Sequence, residues 1–276
     1  MNGSPAVSPY THPTTPGLRR DRLPHIWCPG CGRGVITGCF VRAVAASRKP
    51  AESHAVVSGI GCTGRVAGYL NMDGFHTTHG RAIPFATGLK LSRPELEVTV
   101  ISGDGDLFAI GGNHFIHAAR RNVNINVLCV NNFNYGMTGG QFGSTTPTGA
   151  RTTTSPRGHV EAPFNLPHLA AAVGAGYVAR WTSLHVRQLE RALASALDFD
   201  GFTFVEVLSP CPVGFGRYNE LPQGIDEMNL YRRQCVVDDD HPLVDLELEL
   251  AHDAPIILGT FVGGRPVGAA VAAGEA

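Results

Sequence analysis

The sequence predicts a doubly wound α/β domain built on a mostly parallel sheet. Short runs rich in β-branched residues alternate with Ala-rich stretches of helical period, the pattern of strands joined by crossover helices. Two runs, 98–102 (VTVIS) and 125–130 (INVLCV), are apolar almost without interruption, as strands covered on both faces are. Glycine-bearing turns follow the strands, and sheets of this kind bind ligands at the carboxyl ends of their strands.

Taken in order, residues 1–24 hold five prolines and little periodic apolar character, and predict a flexible N-terminal arm. Strands are expected at 54–58, 97–102, 125–130, 177–180 and 203–208, with helices at 35–46, 84–91, 110–120, 166–173 and 184–197. The region 136–162, crowded with Gly, Thr, Ser and Pro, reads as a long functional loop. The domain is expected to span 25–235, followed by a C-terminal extension over 236–276, first acidic and then rich in Gly, Ala and Val. There is no internal repeat.

Composition narrows the function. At 276 residues, with 43% hydrophobic and 16% charged residues, the chain can bury a sizeable core. Its 22 Lys+Arg against 23 Asp+Glu leave a charge of -1 with no basic run, which argues against nucleic-acid binding by phosphate neutralisation. No apolar stretch reaches the ~18–20 residues of a membrane span, and the N-terminus lacks the apolar middle of a secretory signal. A soluble, cytoplasmic chain is expected. Seven cysteines are an odd number and too few for a disulfide scaffold, so a metal or redox role is the better reading of a Cys-x-x-Cys pair.

The strand at 97–102 runs directly into Gly103-Asp104-Gly105-Asp106, and the strand at 125–130 ends in Asn131-Asn132-Phe133-Asn134-Tyr135-Gly136. Neighbouring parallel strands would deliver an acid and an amide to one sheet edge. Glycines let backbone approach a phosphate, and Mg²⁺ takes hard oxygen ligands. With 27 residues between Asp104 and Asn132, the pair resembles the thiamine-diphosphate motif, GDG followed by NN. The resemblance makes Gly103, Asp104, Gly105 and Asp106 cofactor-binding. It implies that Asp104 and Asn132 ligate Mg²⁺ through side chains and Asn134 through its carbonyl. Many members carry Gly at that last position.

Cys28 and Cys31 share the tight turn of Cys28-Pro29-Gly30-Cys31-Gly32; Cys62 lies in Gly59-Ile60-Gly61-Cys62, and Cys211 in Ser209-Pro210-Cys211. Each of the last two follows an expected strand, so four thiols could converge. Four thiolates suit tetrahedral Zn²⁺ or a 4Fe–4S cluster, and spacing alone does not choose. Together, CPGCG, GIGC, GDGD…NN and SPC resemble the β subunit of the 2-oxoacid:ferredoxin oxidoreductases over about residues 27–218. The resemblance implies a 4Fe–4S cluster held by Cys28, Cys31, Cys62 and Cys211 beside thiamine diphosphate. It makes Gly61, His79, Gly80, Arg81, Gly136, Met137 and Thr138 pocket residues. Arg65, His79 and Met137 stand as catalytic candidates: Arg65 to take the oxoacid carboxylate, Met137 to pack against thiazolium or substrate. Cys39 and Cys129 read as structural, Cys235 is unassigned, and His114 and His117 are expected to line a helix–sheet interface.

The implied reaction is CoA-dependent oxidative decarboxylation of a 2-oxoacid to acyl-CoA and CO₂, with electrons passing to ferredoxin. The glutamate that activates thiamine is missing here, so a larger α subunit carrying the pyrimidine-binding domain is the expected partner, in an αβ pair or (αβ)₂. The GMTGGQ…TTP and HGRA stretches look most like 2-oxoglutarate-type members, giving succinyl-CoA; pyruvate and branched-chain or aryl 2-oxoacid members share much of this texture. A non-redox thiamine enzyme and a zinc-binding scaffold subunit are the competing readings.

Overall fold

The computed structural model describes residues 12–249 and 254–263. Among the described residues ten strands form in chain order: β1 (His54–Ser58), β2 (Asp73–His76), β3 (Glu97–Gly103), β4 (Asn126–Asn131), β5 (Asn134–Tyr135), β6 (Gln141–Phe142), β7 (Tyr177–Thr182), β8 (Thr203–Leu208), β9 (Cys235–Val237) and β10 (Ile256–Val262). Six α-helices accompany them: α1 (Arg33–Ala46), α2 (Ala82–Ser92), α3 (Gly112–Arg120), α4 (Leu166–Ala172), α5 (Val186–Leu197) and α6 (Gly224–Gln234). Eight strands make one sheet in the order β2-β1-β3-β4-β8-β7-β10-β9, while β5 and β6 pair as a small hairpin. Within the eight-stranded sheet the strands from β2 across to β7 run parallel, and the β7–β10 pairing alone is antiparallel. The doubly wound, mostly parallel sheet expected from the sequence is the one observed.

Side-chain alternation explains the apolar runs. Successive strand residues point to opposite faces: Val56, Ile101, Leu128, Val130, Val205 and Val207 join one core with Phe40 of α1 and Leu189 of α5. Their neighbours Val57, Val100, Val127, Cys129 and Phe204 join the other, with Ala86 of α2, Phe115 of α3 and Leu166 of α4. The helices form by different local devices. Gly32 caps α1 in the left-handed region, where a Cβ would collide with Ser183. Asn165 accepts from the His168 amide to start α4, and α6 opens with a capping box of Gln223 and Asp226.

Three expectations change. Of the predicted arm, residues 1–11 lie outside the described residues, but 12–24 are fastened to the domain. The Leu18–Leu70 bridge, the Arg19 amide on the Tyr69 carbonyl and Arg19 Nε on the Leu70 carbonyl make one continuous seam there. The C-terminal region likewise supplies β9 and β10 to the main sheet; residues 250–253 and 264–276 of it lie outside the described residues. His114 is half-buried and His117 exposed on α3, because Phe115, Ala118 and Ala119 form its core-facing stripe. No helix among the described residues is long and apolar enough to cross a membrane.

The chain leaves β1 outward to β2 and leaves β3 in the opposite direction, toward β4. That divergence opens a crevice at the carboxyl ends of β1 and β3, the location where doubly wound sheets bind ligands.

Candidate functional site

Sheet register sets the first group. Gly103 pairs with Val130, so Asp104 and Asn132 emerge side by side at the ends of β3 and β4. Asp104 turns helically into a single π-helical turn over Gly105–Ile110, a device common at functional sites. Phe133 adopts the left-handed region (φ 63), so the chain reverses at once and returns Asn134 toward Asp104. One end of the Asn132 amide lies 3.1 Å from Asp104 Oδ1 and 3.3 Å from the Asn134 main-chain oxygen. Its other end lies 3.3 Å from Arg33 Nη2. Turned with nitrogen toward Asp104, the amide satisfies these neighbours by hydrogen bonds. Turned with oxygen toward Asp104, it places that oxygen beside those of Asp104 and Asn134, a hard-oxygen set of the kind Mg²⁺ takes. Asp104 is 1% exposed, and burial pushes its carboxyl up to about 6 against the opposing pull of the Thr145 hydroxyl, which donates to Oδ2.

Asp106 lines the same cleft and also fastens the loops around it. Its Oδ1 accepts from the Ile60 amide (3.1 Å), the Gly80 amide (2.8 Å) and His79 Nδ1 (2.5 Å), and its Oδ2 from Ser102 Oγ (2.8 Å). One buried carboxylate thereby ties the loops after β1, before α2 and after β3. Gly59 must lack a Cβ, because an atom there would overlap the Asp106 carboxylate. With Nδ1 held by Asp106, His79 is left with Nε2 to act on a ligand, on the same cleft wall as Tyr135.

The cysteine turns meet at the same edge. Trp27 Nε1 donates to the Cys62 carbonyl (2.7 Å), and Ser209 Oγ donates to the Cys31 carbonyl (2.6 Å). The Cys211 amide donates to both oxygens of buried Glu227 (2.9 and 3.2 Å), whose carboxyl burial pushes up to about 8. Burial raises the Cys62 thiol; Arg33 opposes this, and Cys211, Cys28 and Cys31 each add to it, so the other three sulfurs lie within electrostatic reach of Cys62. Among the described residues no three His, Cys, Asp or Glu side chains are arranged to hold a single ion.

A cleft of about 180 Å³ joins these groups, lined by Cys62, His79, Asp104, Asn132, Asn134 and Arg33 among others. Gly61, Gly103, Gly105, Gly136, Met137 and Thr138 also line it, with Met137 half-exposed and Thr138 hydrogen-bonded to Gln141. Arg65 does not reach this cleft: it is exposed in a neighbouring one of about 370 Å³, with Arg22 and His76. Arg81 is exposed, its guanidinium on the Gly80 carbonyl. Cys39 and Cys129 are fully buried away from the cleft. Sequence reasoning missed Thr145, Thr63 and Arg33. A cation directly behind the Cys-x-x-Cys-Gly turn was the one available signal for Arg33.

The thiamine pyrophosphate enzyme C-terminal TPP-binding domain matches residues 58–207. The 2-oxoglutarate synthase subunit KorB of Methanocaldococcus jannaschii is 52% identical over 82% of this chain and 83% of its own. Its counterpart from Archaeoglobus fulgidus is 53% identical over 71% and 73%. The solved 2-oxoglutarate:ferredoxin oxidoreductase from Magnetococcus marinus, with 2-oxoglutarate, coenzyme A and succinyl-CoA bound, superposes with a TM-score of 0.80 at 32% identity, covering 92% of this chain and 86% of that one. With its diphosphate motif and its cysteine turns on one sheet edge, the chain belongs to the thiamine-pyrophosphate-binding β-subunit family of the 2-oxoglutarate synthases and 2-oxoacid:ferredoxin oxidoreductases.

Proposed function

We propose that this chain is the β subunit of a 2-oxoglutarate:ferredoxin oxidoreductase, which converts 2-oxoglutarate and CoA to succinyl-CoA and CO₂ and passes the electrons to ferredoxin. The observation that carries the reading is the shared edge, where Asp104, Asn132, Asn134 and Cys62 line one cleft and Cys28, Cys31 and Cys211 lie within electrostatic reach of Cys62. When bound, thiamine diphosphate supplies a carbanion and an electron sink, and a 4Fe–4S cluster takes the electrons singly.

The chain's own residues position and bind. Asp104, Asn132 and the Asn134 carbonyl would hold Mg²⁺, with Gly103 and Gly105 letting backbone approach the diphosphate. Cys28, Cys31, Cys62 and Cys211 would hold the cluster. Asp106 fixes His79, whose Nε2 can donate to or accept from a ligand in the cleft. Met137 offers an apolar contact at the cleft wall. Arg65, beside Arg22 and His76, offers a guanidinium for a substrate carboxylate. The thiamine-activating glutamate and pyrimidine-binding domain would come from an α subunit, in an αβ or (αβ)₂ assembly in the cytoplasm.

The test is anaerobic co-purification with the α partner, followed by viologen reduction across a 2-oxoacid panel. Reduction that requires both 2-oxoglutarate and CoA is expected. Colourless protein containing one zinc and no such activity overturns the reading; a preference for pyruvate overturns the substrate.

A further inference from the structure

Arg33 opens α1 two residues after Cys31, and three features make this a poor place for a cation. It is 5% exposed, so its charge has lost most of its hydration. It sits at the amino end of a 14-residue helix, where the helix dipole already favours anions. Among the described residues no carboxylate lies within ion-pair distance of it. Its Nε donates to Thr63 Oγ1 (3.2 Å), and its Nη2 lies 3.3 Å from the Asn132 amide. The guanidinium lines the same cleft as Cys62 and Asp104, and it pulls Cys62, Asp104 and Glu227 toward their ionised forms.

A buried charge persists where opposite charge compensates it. Here the compensating charge would be that of the groups the site takes up, with Cys62 on the same cleft wall as Arg33. Building on the function proposed above, we infer that Arg33 is the buried counter-charge of the cluster held by Cys28, Cys31, Cys62 and Cys211, and that it raises the cluster's reduction potential. The step concerned is the gain of one electron by the cluster, from the substrate-derived pair in turnover or from dithionite in a titration. No bond or proton is exchanged at Arg33. The reduced cluster carries one more negative charge, and the nearby cation stabilises that form more than the oxidised one. Water exclusion keeps the interaction from being screened away. Arg33 is thus a positioning residue of electrostatic kind, acting on the cluster through space.

The experiment is a dithionite titration of the anaerobic αβ enzyme followed by electron paramagnetic resonance, comparing wild type, R33Q and R33K. R33Q should lower the reduction equilibrium constant tenfold or more, a midpoint more negative by at least 59 mV for a one-electron couple. R33K, which keeps the charge, should stay within threefold of wild type. R33M keeps the apolar stem and carries the same expectation as R33Q should the latter fail to assemble a cluster. An unchanged or more positive midpoint overturns the inference. So does an R33K shift as large as that of R33Q, because shape rather than charge would then be responsible. Weakened thiamine diphosphate binding with an unmoved midpoint would assign Arg33 to the metal side instead, and overturns it too. A wild-type enzyme with no iron or sulfide defeats the proposed function itself, an outcome distinct from an intact cluster with an unmoved midpoint.

Discussion

The oxygen set and the thiol set share one sheet edge, yet they reach it by different routes. Asp104 and Asn132 lie at the ends of paired strands, so the β3–β4 ladder alone brings them together. The thiols come from segments near opposite ends of the domain and are joined by single tethers, the Trp27 indole on the Cys62 carbonyl and the Ser209 hydroxyl on the Cys31 carbonyl. The oxygen set is also braced from behind. Glu206 accepts from Arg180 Nε (2.6 Å) and from Asn131 Nδ2 (2.8 Å), and the Asn131 oxygen then accepts from the Phe133 amide, holding the reversal that presents Asn134. A preorganised site of oxygens and a loosely tethered site of sulfurs should therefore fail independently.

The largest effects test that independence directly. D104N should weaken magnesium-dependent thiamine diphosphate binding by about 100-fold or more, measured by calorimetry, while leaving the visible iron–sulfur absorbance intact. C211S should bleach that absorbance and spare thiamine binding. Loss of both properties in either variant would break the comparison. Next comes the brace: R180M leaves the Glu206 carboxylate buried without its cation. Unfolding by denaturant should show a cost of about 3–5 kcal/mol. The disturbed Asn131–Phe133 link should weaken metal affinity by roughly 10–100-fold, with iron content unchanged.

A smaller effect sharpens the thiol side. W27F removes one hydrogen bond to the Cys62 carbonyl and should cost about 1 kcal/mol, read as faster iron release to a chelator. The smallest concerns thiols outside the site. Burial pushes the Cys39 thiol up to about 11, and the thiolate is the reactive form. In iron-free protein at pH 8, exposed Cys28 should be alkylated while Cys39 is not. Since thiolate grows with pH, Cys39 labelling should rise about tenfold per pH unit until about pH 11. Equal labelling of Cys28 and Cys39 at pH 8 would contradict the burial seen here.

Five strands and five helices were legible from period alone, each within a few residues of its place, because continuous apolar runs and 3.6-residue stripes are imposed by burial on both faces of a parallel sheet. What escaped had weak local signals. The edge strand β2 is exposed along its whole length, so no hydrophobic pattern marks Asp73–His76. The strand β10 is an apolar run, Ile256–Val262, inside a tail rich in Gly, Ala and Val that reads as uninformative, and its place is set by pairing with β7 and β9. Likewise 12–24 looked free because its order comes from main-chain bonds to Tyr69–Asn71 rather than from periodicity. At the site, the motifs named Asp104, Asn132, Asn134 and the cysteines as a chemical group. They also named Asp106, which lines the cleft and whose carboxylate accepts from Ile60, His79, Gly80 and Ser102.

The order of residues along the chain determined which chemical groups stand at the ends of which strands, since a strand's length and polarity pattern are local matters. Only the folded chain decided which of those groups face one another: that Asp106 ties three loops together, that Arg65 opens on a separate cleft, and that Arg33 lies buried on the cleft wall with no carboxylate partner among the described residues. Such outcomes depend on the direction each side chain takes among neighbours distant in sequence, and no periodicity of the chain encodes that direction.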